Sequence, residues 1–122
     1  MIVCGTIIDQ GASMSILSSI SWKALSSPPL VLVTQNLLDF NRGTSQPLGI
    51  LPQLPIALRG KIVYLNVMEV PGPLDYNLLL GCDYVYGMGA LISTLFQVIY
   101  FLHEGRIVIV DQILWLLVNH LP

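Results

Sequence analysis

Charge is scarce in this chain. Asp, Glu, Lys and Arg make up only 10% of its 122 residues, against roughly 25% in an average soluble domain. Five cations face seven anions, for a formal net charge of -2. A surface that follows a phosphate backbone needs a dense array of cations, so nucleic acid is excluded as a direct partner. Cysteine is rarer still: Cys4 and Cys82 allow at most one disulfide. Together with His103 and His120 they show none of the close pairings that zinc modules use, so neither a metal nor any other cofactor is expected. Met1 runs straight into Ile2-Val3-Cys4-Gly5-Thr6, with no basic stretch and no small-residue cleavage site. That pattern leads us to expect free thiols and an intracellular, cytoplasmic location.

What the chain does have is apolar residues, 54% of the total, with a mean hydropathy of +0.74. Disorder is thereby excluded, and the length suits one domain. Residues 84–102 contain no charge, close to the roughly 20 residues that a membrane helix needs. They also contain Gly87, Gly89, Ser93, Thr94 and Gln97, and no cluster of Lys or Arg flanks them. The later apolar run, 107–118, is interrupted by Asp111 and Gln112. A buried β-rich core accounts for both runs, and no membrane partner is expected.

Turn signals recur at the short spacing that strands require. Ser26-Ser27-Pro28-Pro29, the polar stretch 41–47, Arg59-Gly60-Lys61 and Pro71-Gly72-Pro73 separate β-rich segments at 31–34, 48–51, 56–58 and 62–70. In the last of these, Val63, Leu65 and Val67 alternate with Tyr64 and Asn66, as in a strand with one buried face. Gly60 predicts a hairpin between this strand and the one before it. Helical signal is confined to 82–88 and, second, 18–25. The expectation is one mainly β domain over residues 1–110 followed by an apolar tail, 111–122.

Asp9 is the residue with the clearest chemical potential. It follows the apolar strand Gly5-Thr6-Ile7-Ile8, and an apolar run resumes at Met14. A carboxylate set between two hydrophobic strands is costly to bury unless paired or neutralised. Gly11 allows a sharp turn that brings backbone amides near it, and Ala12 is small enough to let another segment pass. By chemistry alone the simplest reading is an Asp that caps a turn. The other residues read as structural: Trp22 and Trp115 as packing, Asp83 as a helix cap, Cys4 and Cys82 as buried thiols, and the two histidines as surface groups.

A second motif, Leu78-Leu79-Leu80-Gly81-Cys82-Asp83, is an apolar strand that ends in glycine and turns into a helix. Asp9-Gln10-Gly11-Ala12-Ser13 followed some seventy residues later by Leu-Leu-Gly resembles the retropepsin family of aspartic proteases. Segments 7–25, 37–56 and 75–101 are similar to the protease region of plant gypsy-type retrotransposon polyproteins, so that the resemblance spans roughly residues 3–110. It implies a closed, barrel-like, mainly β acid-protease fold with one short helix after Leu-Leu-Gly. It also implies a homodimer that cuts a polypeptide substrate, with Asp9 from each subunit activating water. Gln10, Gly11, Ala12, Leu80 and Gly81 would support the catalytic loop, and Phe40, Asn41, Arg42, Gly43 and Thr44 would form a flap over the substrate. Three features depart from the family pattern. Gln10 stands where Ser or Thr is usual, Cys82 and Ser13 replace an Arg–acid pair, and eight residues precede Asp9. They motivate an alternative, a catalytically degenerate domain of the same fold that dimerises or binds extended peptide.

Overall fold

The computed structural model describes residues 2–35, 46–93, 97–111 and 114–118. Seven strands form the main sheet: β1 (Ile2–Ile8), β2 (Ile16–Ser18), β3 (Val31–Gln35), β4 (Gln46–Leu58), β5 (Lys61–Val70), β6 (Leu78–Leu80) and β10 (Leu114–Val118). Three more, β7 (Leu91–Ser93), β8 (Val98–His103) and β9 (Arg106–Asp111), form a second sheet. Two short helices, α1 (Ser19–Ala24) and α2 (Cys82–Met88), lie between strands. The main sheet runs β10-β1-β6-β2-β5-β4-β3, and β10 also meets β4 over two residue pairs. It is therefore mainly β, as expected, but not a closed barrel. The strand β3 ends the sheet and strands β7 to β9 form a separate one; among the described residues both helical segments read from the sequence are present, one more than the family resemblance implies.

Local chemistry explains the main departures from the sequence reading. Segments 48–51 and 56–58 merge into the single strand β4, although Pro52 and Pro55 interrupt them. The ladder slips between Leu51 and Leu54, and Gln53 takes a positive φ of 52°. This is a β-bulge, the place where a strand tolerates proline. The freed Gln53 N–H donates to Asn66 Oδ1 at 3.0 Å, so the bulge is satisfied by its neighbour strand. The hairpin expected at Gly60 forms with Arg59 and Gly60 both at positive φ between paired Leu58 and Lys61. That is the geometry whose twist suits adjoining strands. Strand β5 buries Leu65 and Val67 and exposes Tyr64 and Asn66, as its alternation predicts.

β1 lies between two partners, pairing antiparallel with β10 at Ile2, Val3 and Thr6 and parallel with β6 from Thr6 to Ile8. Where the β10 register shifts, between Val3 and Thr6, Gly5 adopts φ 71° and accepts a hydrogen bond from Asn77 N–H at 2.9 Å. A side chain there would be strained, which is why the kink falls on glycine. Strand β6 is buried at every position, as a central strand covered on both faces must be. Leu17, Ile56, Leu78 and Leu80 are fully inaccessible; each contributes about 1.5–3 kcal/mol of apolar burial.

Tyr84 and Met88, one turn apart on α2, join the same core as Ile99 and Phe101 of β8. Lys61 Nζ donates to the carbonyls of Met88 at 2.7 Å and Leu102 at 3.0 Å, tying β5 to the end of α2 and to the second sheet. A cation at a helix C-terminus is electrostatically favoured. The charge-free run 84–102 is thus split among α2, β7 and β8, and no helix among the described residues is long and apolar enough to cross a membrane.

Candidate active site

The parallel pair β1–β6 ends with Ile8 opposite Leu80, so the two motifs singled out in the sequence leave the sheet side by side. Asp9 N–H donates to Leu80 O at 2.9 Å, and Ala12 N–H closes the turn on Asp9 O at 3.1 Å. Within that turn Gly11 N–H donates to Asp9 Oδ1 at 2.9 Å. The carboxylate therefore has a defined direction while its residue remains exposed. An aspartate at the end of a strand paired to the buried strand β6, open to solvent and aimed by a backbone amide, is a group that can exchange protons with a bound reactant.

The second turn approaches the first from beneath. Cys82 N–H donates to Ala12 O at 2.7 Å. Gly81 is buried, and a β-carbon on it would stand 2.6 Å from Ala12 O and 3.1 Å from Met14 O. No side chain fits there. Of the residues expected at the site, Asp9, Gly11, Ala12, Leu80 and Gly81 thus come together. Gln10 is exposed and lines a cleft of about 600 Å³ with Cys82, Val85, Tyr86, Gly89 and Ala90. The flap candidates Phe40, Asn41, Arg42, Gly43 and Thr44 lie outside the described residues.

Sequence reasoning missed the clamp that holds the two turns. Ser15, fully buried, accepts from Gly81 N–H at 3.0 Å and donates through its hydroxyl to Asp83 Oδ1 at 2.7 Å. Its N–H donates to Asp83 Oδ2 at 3.2 Å, and its carbonyl accepts from Met68 N–H at 3.0 Å. Asp83 Oδ1 also accepts from Tyr84 N–H at 2.8 Å. Asp83 is therefore not the expected helix cap, a position that Gly81 takes. It lies within the first turn of α2, where a negative charge is favoured, and spends its oxygens on Ser15. The available signal was a lone serine inside the apolar run 14–17, since a buried hydroxyl requires partners.

One further expectation changes. Cys82 is exposed and free rather than a buried thiol, with Sγ 3.8 Å from Ser13 O. The two positions expected to have lost an ion pair are thus neighbours, joined by a weak sulfur contact that leaves no charge unpaired. Trp22 packs against the core and donates from Nε1 to Pro28 O at 2.9 Å. Tyr84 is wholly buried, and desolvation pushes its phenol well above the usual range, so it is a neutral packing group. Among the described residues, no three His, Cys, Asp or Glu side chains gather as metal ligands would.

No protein-family model matches the chain, and no curated protein does. Among solved structures it is similar to the retroviral protease-like domain of Ddi1 from Leishmania major. The TM-score is 0.57 at 12% identity, over 88% of this chain and 84% of that one. At that identity the likeness speaks for architecture alone, and what it establishes is that the chain has a retropepsin-like fold.

Proposed function

We propose that the chain is one subunit of a homodimeric aspartic-type endopeptidase, in which each subunit contributes Asp9. The observation that carries this reading is the position of Asp9 within a retropepsin-like fold. It is exposed at the end of β1, beside the buried strand β6, with its carboxylate fixed by Gly11 N–H and its turn packed against Gly81. Two such carboxylates a few ångströms apart disfavour double ionisation and share one proton. The ionised member takes a proton from a bound water, which attacks the peptide carbonyl. The protonated member donates to the carbonyl oxygen, and no covalent intermediate forms. Gly11, Ala12, Leu80 and Gly81 are the supports of this loop, with Gln10 at its edge, and Phe40 to Thr44 are the flap over the substrate. The substrate class is polypeptide, and by the sequence resemblance a retroelement polyprotein of the plant gypsy type.

The test is cleavage of a peptide library at mildly acid pH by the wild-type chain and by Asp9→Asn. Asparagine keeps an oxygen for Gly11 N–H and cannot act as a base, so cleavage falls by about a thousand-fold while stability moves by less than about 0.5 kcal/mol. Undiminished cleavage by the variant would remove Asp9 from the chemistry. One observation favours a second reading. Gln10 lines the cleft beside α2, so it sets no short hydroxyl next to Asp9. A chain that dimerises and retains extended peptides without cutting them would be a degenerate, peptide-binding form of the same fold.

A further inference from the structure

The hairpins β4–β5 and β8–β9 are polarised in the same sense. In the first, Arg59 and Lys61 stand at the turn, and Glu69 pairs with Gly49 at the open end. In the second, Arg106 pairs with His103 beside the turn, and Asp111 pairs with Val98 at the open end. The fold brings the two turns together. Lys61 Nζ reaches Leu102 O at 3.0 Å, and a β-carbon on Gly60 would stand 3.3 Å from His103 Nε2. His103 and Arg106 lie directly opposite each other and so share a side of their hairpin, the side that meets Gly60. Three of the chain's five Lys and Arg residues are thereby gathered at one end. The one carboxylate there among the described residues is Glu104, whose Oε1 lies 3.7 Å from His103 Nε2. Counting histidine as neutral, this end stands at +2 in a chain whose formal net charge is -2.

Only one of these cations is used within the chain. Lys61 donates to the carbonyls of Met88 and Leu102. Arg59 and Arg106 are exposed, and neither has an ion pair or hydrogen bond among the described residues. Nor does the turn call for arginine: Arg59 sits at φ 50°, where glycine, asparagine or aspartate is favoured. A charge-poor chain that sets unpaired cations side by side, one of them on a strained backbone, breaks local rules as functional surfaces do. We infer that the joined turns are a docking site for an acidic stretch of polypeptide, whose Asp or Glu carboxylates pair with Arg59 and Arg106. The planar guanidinium suits that partner, because its parallel N–H groups match the two oxygens of a carboxylate. Lys61 adds attraction without contact. Two free guanidiniums suffice for a short acidic segment and are too few to follow a nucleic acid backbone. The site is separate from the Asp9 turn: α2, seven residues and about 10 Å long, runs from the Gly81 turn to the Met88 carbonyl that Lys61 holds. The inference goes beyond the endopeptidase reading and needs no catalysis. It rests on that reading only in making the docked polypeptide a substrate, held away from the bond that is cut.

The experiment is fluorescence anisotropy of a fluorescein-labelled octaglutamate peptide titrated with the full chain at neutral pH and low salt. It compares wild type with Arg59→Gln/Arg106→Gln and with the control Lys23→Gln, an exposed cation in the last turn of α1. Far-ultraviolet circular dichroism verifies that each variant is folded. Wild type and Lys23→Gln are expected to bind octaglutamate saturably and to ignore octaglutamine. The double variant binds about ten-fold more weakly or worse, since two charge-assisted pairs are lost. Raising salt from about 50 to about 500 mM weakens wild-type binding about five-fold or more, because exposed charges are screened. That salt series also tests the inference if the double variant does not fold. Absence of saturable binding by wild type overturns the inference. So does equal affinity for octaglutamine, or an affinity that neither the folded double variant nor salt reduces. An oligothymidylate of matched length that binds more tightly than octaglutamate, and is lost in the double variant, overturns it in favour of nucleic acid. Asp9→Asn binds octaglutamate as wild type does, so loss of cleavage with retained docking bears on the catalytic reading alone. Cleavage without docking overturns this inference and leaves that reading intact.

Discussion

The turn after β1 and the turn after β6 begin at paired residues, Ile8 and Leu80, and from there they are built in opposite ways. The first is exposed, and its one charged group is anchored by a single backbone amide two residues on. The second is buried at Gly81, and its polar atoms are consumed by Ser15, Asp83 and the carbonyl of Ala12. The contrast separates two tasks. The Gly81 turn converts burial and hydrogen bonding into position, and the Asp9 turn uses that position to hold a carboxylate that solvent or a reactant can reach. A group that is to exchange protons must remain accessible, so the stabilising contacts are placed one layer below it.

The largest effect is expected at Gly81. In Gly81→Ala the added carbon meets backbone atoms on two sides, Ala12 O and Met14 O, and neither is the end of a flexible side chain. Relief requires the first turn to lift off the second, breaking the 2.7 Å bond from Cys82 N–H. The cost is about 3 kcal/mol, a fall of roughly 10 °C in the thermal midpoint for a chain of this size. Calorimetry measures it, and an unchanged midpoint would mean that the two turns are not packed as described.

Next comes the clamp. Asp83→Ala leaves the buried Ser15 N–H and hydroxyl without acceptors, and two stranded donors cost about 2–3 kcal/mol. Asp83→Asn keeps one carbonyl oxygen in place and recovers roughly half of that loss. If chemical denaturation gives Asp83→Ala the stability of wild type, Ser15 is satisfied some other way and the contrast between the turns weakens.

How much of this was legible in the sequence follows from which forces are local. The hairpin at Arg59-Gly60, the alternation of β5 and the helix after Gly81 depend on neighbouring residues, and each could be read directly. The motif pair also marked which two turns meet, because Asp-x-Gly-Ala and Leu-Leu-Gly carry their own geometry. The second hairpin, β8–β9, was missed although Glu104-Gly105 stands between two apolar runs, both residues at positive φ. Its strands are apolar on both faces, and an apolar run without alternation reads as a membrane helix or a buried strand alike. The split into two sheets and the Ser15–Asp83 clamp, 68 residues apart in sequence, depend on tertiary packing that no local pattern encodes.

The smallest expected effect on stability is the sharpest test of the contrast, because it falls on the other glycine. A β-carbon on Gly11 would approach one atom, Asp9 Oδ1, at 3.2 Å. That atom ends an exposed side chain, which can give way by a few tenths of an ångström, so Gly11→Ala costs less than about 0.5 kcal/mol. The displacement acts on the carboxylate itself and loosens the bond from the residue-11 amide that aims it. Small errors of position at a reacting group lower rate steeply, and peptide cleavage by Gly11→Ala is expected to fall roughly ten-fold with the thermal midpoint unmoved. Glycine to alanine would then destabilise the protein in one turn and disarm it in the other. If cleavage survives intact, the Gly11 amide does not orient Asp9, and the carboxylate must be placed by the partner subunit instead.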